Sequence, residues 1–126
     1  MIFIQPTYFD GFKVVDVSCG HAYVLALTDN CQVYSFGVGQ SGTLGLGPNV
    51  TVQLKPRRIE FANSQIKIMN IEAGPNHAAA ITSSRKPIIW GYGGDGRLGL
   101  GDFQTQFYPK AVEQLDIENI TKISCG

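Results

Sequence analysis

Two glycine-rich segments have a spacing that is associated with nucleotide binding. Residues 37–42 are GVGQSG and residues 91–96 are GYGGDG, so both match G-x-G-x-x-G. In dinucleotide-binding proteins this loop joins a strand to a helix, whose N-terminus holds the pyrophosphate. Here Leu-Gly-Leu-Gly follows soon after each segment, at 44–47 and 98–101, and a stretch so rich in glycine is a poor start for a helix. We therefore predict turns at these places, and no cofactor.

The other residues that carry chemistry are few and scattered. The chain has two histidines and three cysteines, and no second ligand lies at metal spacing from His77. No Ser/His/Asp, Cys/His or paired-carboxylate arrangement is visible, so we predict that the chain is not an enzyme and has no catalytic or metal-binding residues. An odd number of widely spaced cysteines argues against a disulfide framework, and favours the cytoplasm or nucleus.

The charge balance limits the classes of partner. The chain of 126 residues has ten basic and ten acidic residues, so its formal net charge is zero. Nucleic-acid-binding domains usually carry a basic excess on one face, so we expect no direct nucleic-acid contact. No apolar run approaches the ~20 residues that span a bilayer, so we expect no membrane partner. The pair Arg57–Arg58 is interpreted as a solvated edge.

The sequence repeats itself at a constant offset. SFGVGQSGTLGLG at 35–47 returns as IWGYGGDGRLGLG at 89–101, and Gly91 follows Gly37 by the same 54 positions by which Ile71 follows Val17. A period of this length, built from strand-like pieces, is typical of propellers and other repeat arrays.

Each copy contains short apolar runs separated by turn residues, which predicts antiparallel strands. The predicted strands are Val14–Cys19, Ala22–Thr28 and Gln32–Phe36 in the first copy, and Ile66–Ala73, His77–Thr82 and Lys86–Trp90 in the second. A fourth, edge-type strand is predicted over residues 56–61 (PRRIEF) and 109–112 (PKAV), since edge positions tolerate proline. The predicted fold class is all-β: antiparallel four-stranded blades of a β-propeller, about two blades with partial blades at both ends.

The repeat also sets the expected domain organisation. We expect one propeller-repeat fragment over 1–126, with repeat one at about 14–66, repeat two at about 67–119 and the start of a third at 120–126. A β-repeat array needs neighbours or caps to cover its end faces. We therefore expect the chain to be part of a larger closed structure. Self-association of the chain through its open blade edges is also expected.

The repeated motif resembles the regulator-of-chromosome-condensation repeat. The first copy has Cys19-Gly20, Leu27-Thr28, Phe36-Gly37 and Leu44-Gly45-Leu46-Gly47, and the second has Ala73-Gly74, Ile81-Thr82, Trp90-Gly91 and Leu98-Gly99-Leu100-Gly101. The resemblance implies a seven-bladed β-propeller, of which this chain supplies a little over two blades. The positions expected to be structural are Gly20, Gly37, Gly45, Gly47, Gly74, His77, Trp90, Gly91, Gly99 and Gly101.

Particular roles are expected for some of these positions. Trp90 and Phe36 occupy equivalent places and are predicted to be core aromatics between blades. The family pattern implies that His77 hydrogen-bonds between strands of one blade. The exchange of Cys19 for Ala73 predicts a small buried site.

The function expected from these features is protein interaction without catalysis. Asp95 and Arg97 flank Gly96 in a loop, so they are candidate partner contacts, with ordinary solvated turn charges as the alternative. The resemblance raises two other functions: guanine-nucleotide exchange on a Ran-like small GTPase, and a targeting or regulatory region of a larger ubiquitin ligase or kinase.

Overall fold

The computed structural model describes residues 11–61, 65–92 and 105–111. These residues form two four-stranded antiparallel sheets, in which the strands follow one another in chain order. The first sheet contains β1 (Val14–Cys19), β2 (Tyr23–Thr28), β3 (Val33–Val38) and β4 (Val52–Arg58); the second contains β5 (Ile68–Ala73), β6 (His77–Thr82), β7 (Pro87–Gly91) and β8 (Gln106–Ala111). The prediction of an all-β fold built from four-stranded blades is confirmed.

The fourth strand of each blade contains a proline beside a break in the ladder. In the first blade Ser35 pairs with Arg57 but Gly37 pairs with Gln53, so β4 carries extra residues between these pairs. Pro56 lies in this bulge, where a missing backbone donor costs little. The predicted outer strands share only residues 56–58 with β4 and 109–111 with β8, because these strands begin before the proline, at Val52 and Gln106.

The ladder also shows where the repeat offset changes. Gly37 pairs with Gln53, and Gly91 pairs with Gln106. Since the glutamines are one position closer together than the glycines, the second copy is one residue shorter before its outer strand. By the same register Arg57 of β4 corresponds to Lys110 of β8, because they pair with the equivalent residues Ser35 and Ile89.

The hydrophobic core lies between the two blades. Alternate residues of a strand point to the same face of the sheet, and Tyr23, Leu25 and Leu27 of β2 all belong to the core cluster. The second blade contributes Ile68, Ile71, Ala78, Ala80, Ile88 and Trp90 to that cluster. One face of the first blade is therefore buried against the opposite face of the second.

Candidate interaction surfaces

The glycine-rich segment of the first blade packs onto the second blade. The Gly47 amide donates to the Phe107 carbonyl oxygen at 3.1 Å, and the indole Nε1 of buried Trp90 donates to the Thr43 carbonyl oxygen at 2.9 Å. Gly45 has φ +68°, and a Cβ built there would lie 3.1 Å from Trp90 Nε1. Absence of a side chain at Gly45 thus lets the segment approach the indole.

The first G-x-G-x-x-G segment does not begin an α-helix. Its only helical part is the single 3₁₀ turn Gln40–Gly42, and Ser41 within it has φ 59°. A pyrophosphate site of the dinucleotide type needs the N-terminus of a continuing helix. In the first segment Gly37 and Val38 therefore end β3, and residues 39–42 form a turn and not the start of an α-helix; of the second segment, only residues 91 and 92 are described.

Hydrogen bonds also join the blades near their inner strands. The Tyr23 hydroxyl lies 2.7 Å from the Gly74 carbonyl oxygen and 2.9 Å from that of His77, and its single proton is shared between these two acceptors. Ser18 Oγ accepts from the Ala73 amide at 2.8 Å. Tyr23 has the same repeat position as His77. In the first copy the side chain at this position therefore forms hydrogen bonds with the second blade.

Removing the Tyr23 hydroxyl is expected to weaken the junction between blades. Tyr23→Phe should lower the free energy of unfolding by about 1–2 kcal/mol, because buried carbonyl groups lose a donor. Urea denaturation followed by circular dichroism measures the change. Tyr108→Phe is the matched control, since Tyr108 is exposed and should lose less than about 0.5 kcal/mol. Equal losses in both variants would contradict a bridging role for the Tyr23 hydroxyl.

The described members of the predicted structural set lie in strands, at turns and at the blade junction. The Gly20 and Gly74 amides close the inner turns by donating to the carbonyl oxygens of Tyr23 and His77, and a Cβ at Gly20 would collide with the Tyr23 ring. His77 is buried in β6; that its imidazole bonds between strands stays a prediction. Among the remaining predicted positions, Asp95, Arg97, Gly99 and Gly101 lie outside the described residues.

The outward face of β1 exposes positions that are buried in the second blade. Val14 and Val17 are 36% and 49% exposed, whereas Ile68 and Ile71 are 1% and 5% exposed. The ladders establish the equivalence, because Val14 pairs with Thr28 as Ile68 pairs with Thr82. We call Val14 and Val17 the open face.

The exposure of Cys19 contradicts the prediction that this position is buried. The exchange with Ala73 predicted a small buried site, but the Cys19 thiol is free and the residue is exposed. Ala73 is partly buried and packs against the core cluster between the blades. The prediction was wrong for Cys19 because Ala73 has the first blade beside it, while Cys19 shares the exposure of β1.

A cleft of about 210 Å³ lies at the outer rim, where the first blade meets the second. Its lining residues are Gly45, Leu46, Arg57, Arg58, Glu60 and Tyr108. We call it the rim cleft. The pair Arg57–Arg58 was predicted to be a solvated edge, and the cleft was not predicted, because Tyr108 comes from the other blade. The available signal was a cation after the proline in both copies, Arg57 and Lys110.

Two negative findings apply to the described part of the chain. Within residues 11–61, 65–92 and 105–111, no three His, Cys, Asp or Glu residues are grouped so that they could hold a metal ion. In the same ranges, no helix has the length and apolarity needed to cross a bilayer.

Comparison with known sequences identifies the repeat. The family model of the regulator of chromosome condensation (RCC1) repeat matches residues 32–81 and 89–126. The chain is 35% identical over 116 residues to the ultraviolet-B receptor UVR8 of Arabidopsis thaliana, covering 92% of this chain and 26% of the receptor. It is 40% identical over 114 residues to the human E3 ubiquitin-protein ligase HERC2, covering 90% of this chain and 2% of the ligase. With the mouse X-linked retinitis pigmentosa GTPase regulator, identity is 37% over 116 residues, covering 90% of this chain and 11% of the regulator.

Solved structures show the same fold. Human WBSCR16 matches with a TM-score of 0.83 at 26% identity, over 99% of this chain and 31% of that chain. Yeast RCC1 (Prp20), solved bound to Kap60, matches with a TM-score of 0.80 at 22% identity, over 93% of this chain and 29% of that one. The chain thus spans about a third or less of each protein it matches here.

Proposed function

The chain belongs to the RCC1 repeat family, and from this premise we propose that it is a non-catalytic protein-interaction module within a larger β-propeller. We propose repeat boundaries at about 14–66, 67–119 and 120–126. We also propose that the module acts in the cytoplasm or the nucleus. Support comes from the relatives and solved structures, of which this chain spans only a part.

The observation that carries the proposal is the open face. Val14 and Val17 are apolar and exposed, while their equivalents Ile68 and Ile71 lie in the core between blades. The strand that carries Ile68 and Ile71, β5, contacts β2 and β1 of the first blade, and a blade of the same repeat type would cover Val14 and Val17 in the same way. We therefore propose another blade as the occupant of the open face.

Light scattering on two matched variants tests this packing. The unsubstituted chain should form a discrete oligomer that buries its open face, and Val17→Asp should dissociate it, since a buried unpaired charge is strongly unfavourable. Val15→Asp is the control, because Val15 and its equivalent Met69 are 60% and 55% exposed. A monomer would exclude a second copy of this chain as the occupant of the open face, and an oligomer that both substitutions leave intact would exclude the open face as the contact surface.

Guanine-nucleotide exchange is the second candidate function. It is favoured by 37% identity to a relative named as a GTPase regulator. Such an activity would use a protein surface, with a small GTPase as the partner, and would need no catalytic side chains in the module. Acceleration of labelled GDP release from a Ran-like GTPase, measured with increasing amounts of the chain, would support it; an unchanged release rate would argue against it.

We also propose Asp95 and Arg97 as partner contacts, on the sequence-based expectation that they lie in a loop. Both remain candidate contacts because loops of a rigid scaffold commonly supply binding residues. A regulatory or targeting region of a ubiquitin ligase or kinase is a further alternative, and the 40% identity to HERC2 favours the ligase. In each case catalysis would belong to another domain, and this module would bind proteins.

A further inference from the structure

We propose that the rim cleft binds an acidic peptide segment of a partner protein. Arg57 and Arg58 would bind its carboxylates, and Tyr108 and Leu46 would contact its apolar groups. This names a partner class for the interaction module, and therefore rests on the proposed function. The cleft itself lies between the two described blades, so it needs no third blade.

The charge of the rim cleft favours an anionic ligand. Its lining residues include two arginines, Arg57 and Arg58, and one glutamate, Glu60. Arg57 and Arg58 are both exposed. Guanidinium groups bind carboxylates through paired N–H donors, and such charge-assisted bonds are stronger than neutral ones. A segment with closely spaced carboxylates would match this pair.

The apolar side of the cleft is held in place by the junction between blades. Tyr108 is largely exposed, but its hydroxyl lies 2.7 Å from the place where a Cβ of Gly47 would be. The adjacent Phe107 carbonyl accepts from the Gly47 amide, which fixes the backbone beneath the ring. Exposed tyrosine and arginine side chains are the types enriched at binding hot spots.

The size of the cleft favours a peptide over a small-molecule ligand. Ligand pockets usually enclose roughly 300–1,000 Å³, and the rim cleft has about 210 Å³. This space suits one or two side chains of an extended segment. Addition of that segment to β4 as another strand is disfavoured, since Pro56 and the bulge interrupt the ladder. Recognition would therefore use side chains.

A nucleic acid is a weaker match for the same cations. Binding to phosphate backbones depends on neutralising many phosphates with lysines and arginines, whereas this chain has no net charge and Glu60 lies in the cleft itself. The Glu60 carboxylate would repel a continuous phosphate backbone more strongly than a peptide that carries few negative charges.

The second blade has a basic residue at the position equivalent to Arg57. Lys110 has the ladder position in β8 that Arg57 has in β4. Lys110 is also exposed. An acidic segment that runs along the rim would therefore meet a cation on each blade, while the aromatic contact from Tyr108 belongs to the first cleft.

The probe for the test is a fluorescein-labelled peptide in which glutamates alternate with glycines around a central leucine. Fluorescence anisotropy at an ionic strength of about 0.1 M, where the Debye length is roughly 10 Å, should show binding to the full 126-residue chain. The double substitution Arg57→Ala and Arg58→Ala should reduce the affinity by about tenfold or more, since each removes a charge-assisted contact. Tyr108→Ala should reduce it by several-fold.

A charge-matched control separates the cleft from general electrostatic attraction. Lys13→Ala with Lys67→Ala removes the same charge from two exposed positions that do not line the cleft, and should leave the affinity within about twofold of the original because exposed distant charges are screened. Circular dichroism melting checks that each variant is folded.

Three results would overturn the proposal. The first is no binding of the peptide by the unsubstituted chain, and the second is an equal loss of affinity in the lysine and arginine variants. The third is tighter, arginine-dependent binding of a labelled single-stranded RNA than of the peptide. Since the oligomer in light scattering depends on Val17 and not on Arg57, failure here is distinguishable from failure of the blade-packing proposal.

Discussion

Replacing Trp90 with alanine is expected to lower the free energy of unfolding by about 3–5 kcal/mol. The indole is fully buried between the blades, packs edge-on against Phe61 with ring centroids 6.2 Å apart, and donates to the Thr43 carbonyl oxygen. Alanine would leave a large cavity at the junction and remove the donor of a buried carbonyl group.

Trp90→Phe is the matched control for this variant. The first copy has phenylalanine at the equivalent position, Phe36, so the backbone accepts this residue type. It should cost about 1–3 kcal/mol, less than alanine, because it keeps most of the buried ring but loses the hydrogen bond to Thr43. Urea denaturation followed by circular dichroism suits both variants, since each lacks the chain's single tryptophan. An unchanged midpoint for Trp90→Ala would contradict a core role.

Gly37→Ala is expected to cost about 2–4 kcal/mol, for two separate reasons. Gly37 has φ +110°, where residues with a side chain are strained, and a Cβ there would lie 2.6 Å from the Ala22 carbonyl oxygen. That oxygen accepts from the Val38 amide at 2.9 Å, so moving it would disturb a hydrogen bond. Gly91 repeats the arrangement, with φ +109° and a Cβ position 2.8 Å from the Asn76 carbonyl oxygen.

Gly11→Ala separates backbone strain from crowding. Gly11 has φ +83°, but a Cβ there would meet nothing within 4 Å. It should therefore cost only about 1 kcal/mol, the price of the left-handed conformation alone. Thermal melting or urea denaturation of the two alanine variants compares the effects. If both lose the same stability, crowding against Ala22 is not what requires glycine at residue 37.

Local pattern was sufficient to predict most of the strands. Val14–Cys19 and His77–Thr82 have the predicted bounds, because short apolar runs there are closed by Gly20 and by the turn that follows Thr82. The outer strand was predicted less well: β4 begins at Val52, since its pairing with Val38 depends on how the preceding loop returns to the sheet.

The rim cleft could not be predicted from neighbouring residues. Arg57 and Tyr108 are far apart in sequence, and they line one cleft because Gly47 of the first blade bonds to Phe107 of the second. A contact of this kind depends on the angle at which the blades pack. The paired cations Arg57 and Lys110 were visible in the sequence, but the aromatic partner was not.

The sequence by itself determined the repeat, the all-β fold class and the presence of turns at the glycine-rich segment 39–42. These features follow from the repeat period, the alternation of apolar and polar residues and the residue types in turns, which are all local properties of the chain. Only the tertiary structure decided which member of each equivalent pair is buried. Ile71 is in the core and Val17 is exposed, although both are apolar residues at the same repeat position. The physical reason is that burial depends on the surface that lies opposite, and within the described residues Ile71 packs into the core between the blades, while Val17 lies on the open face.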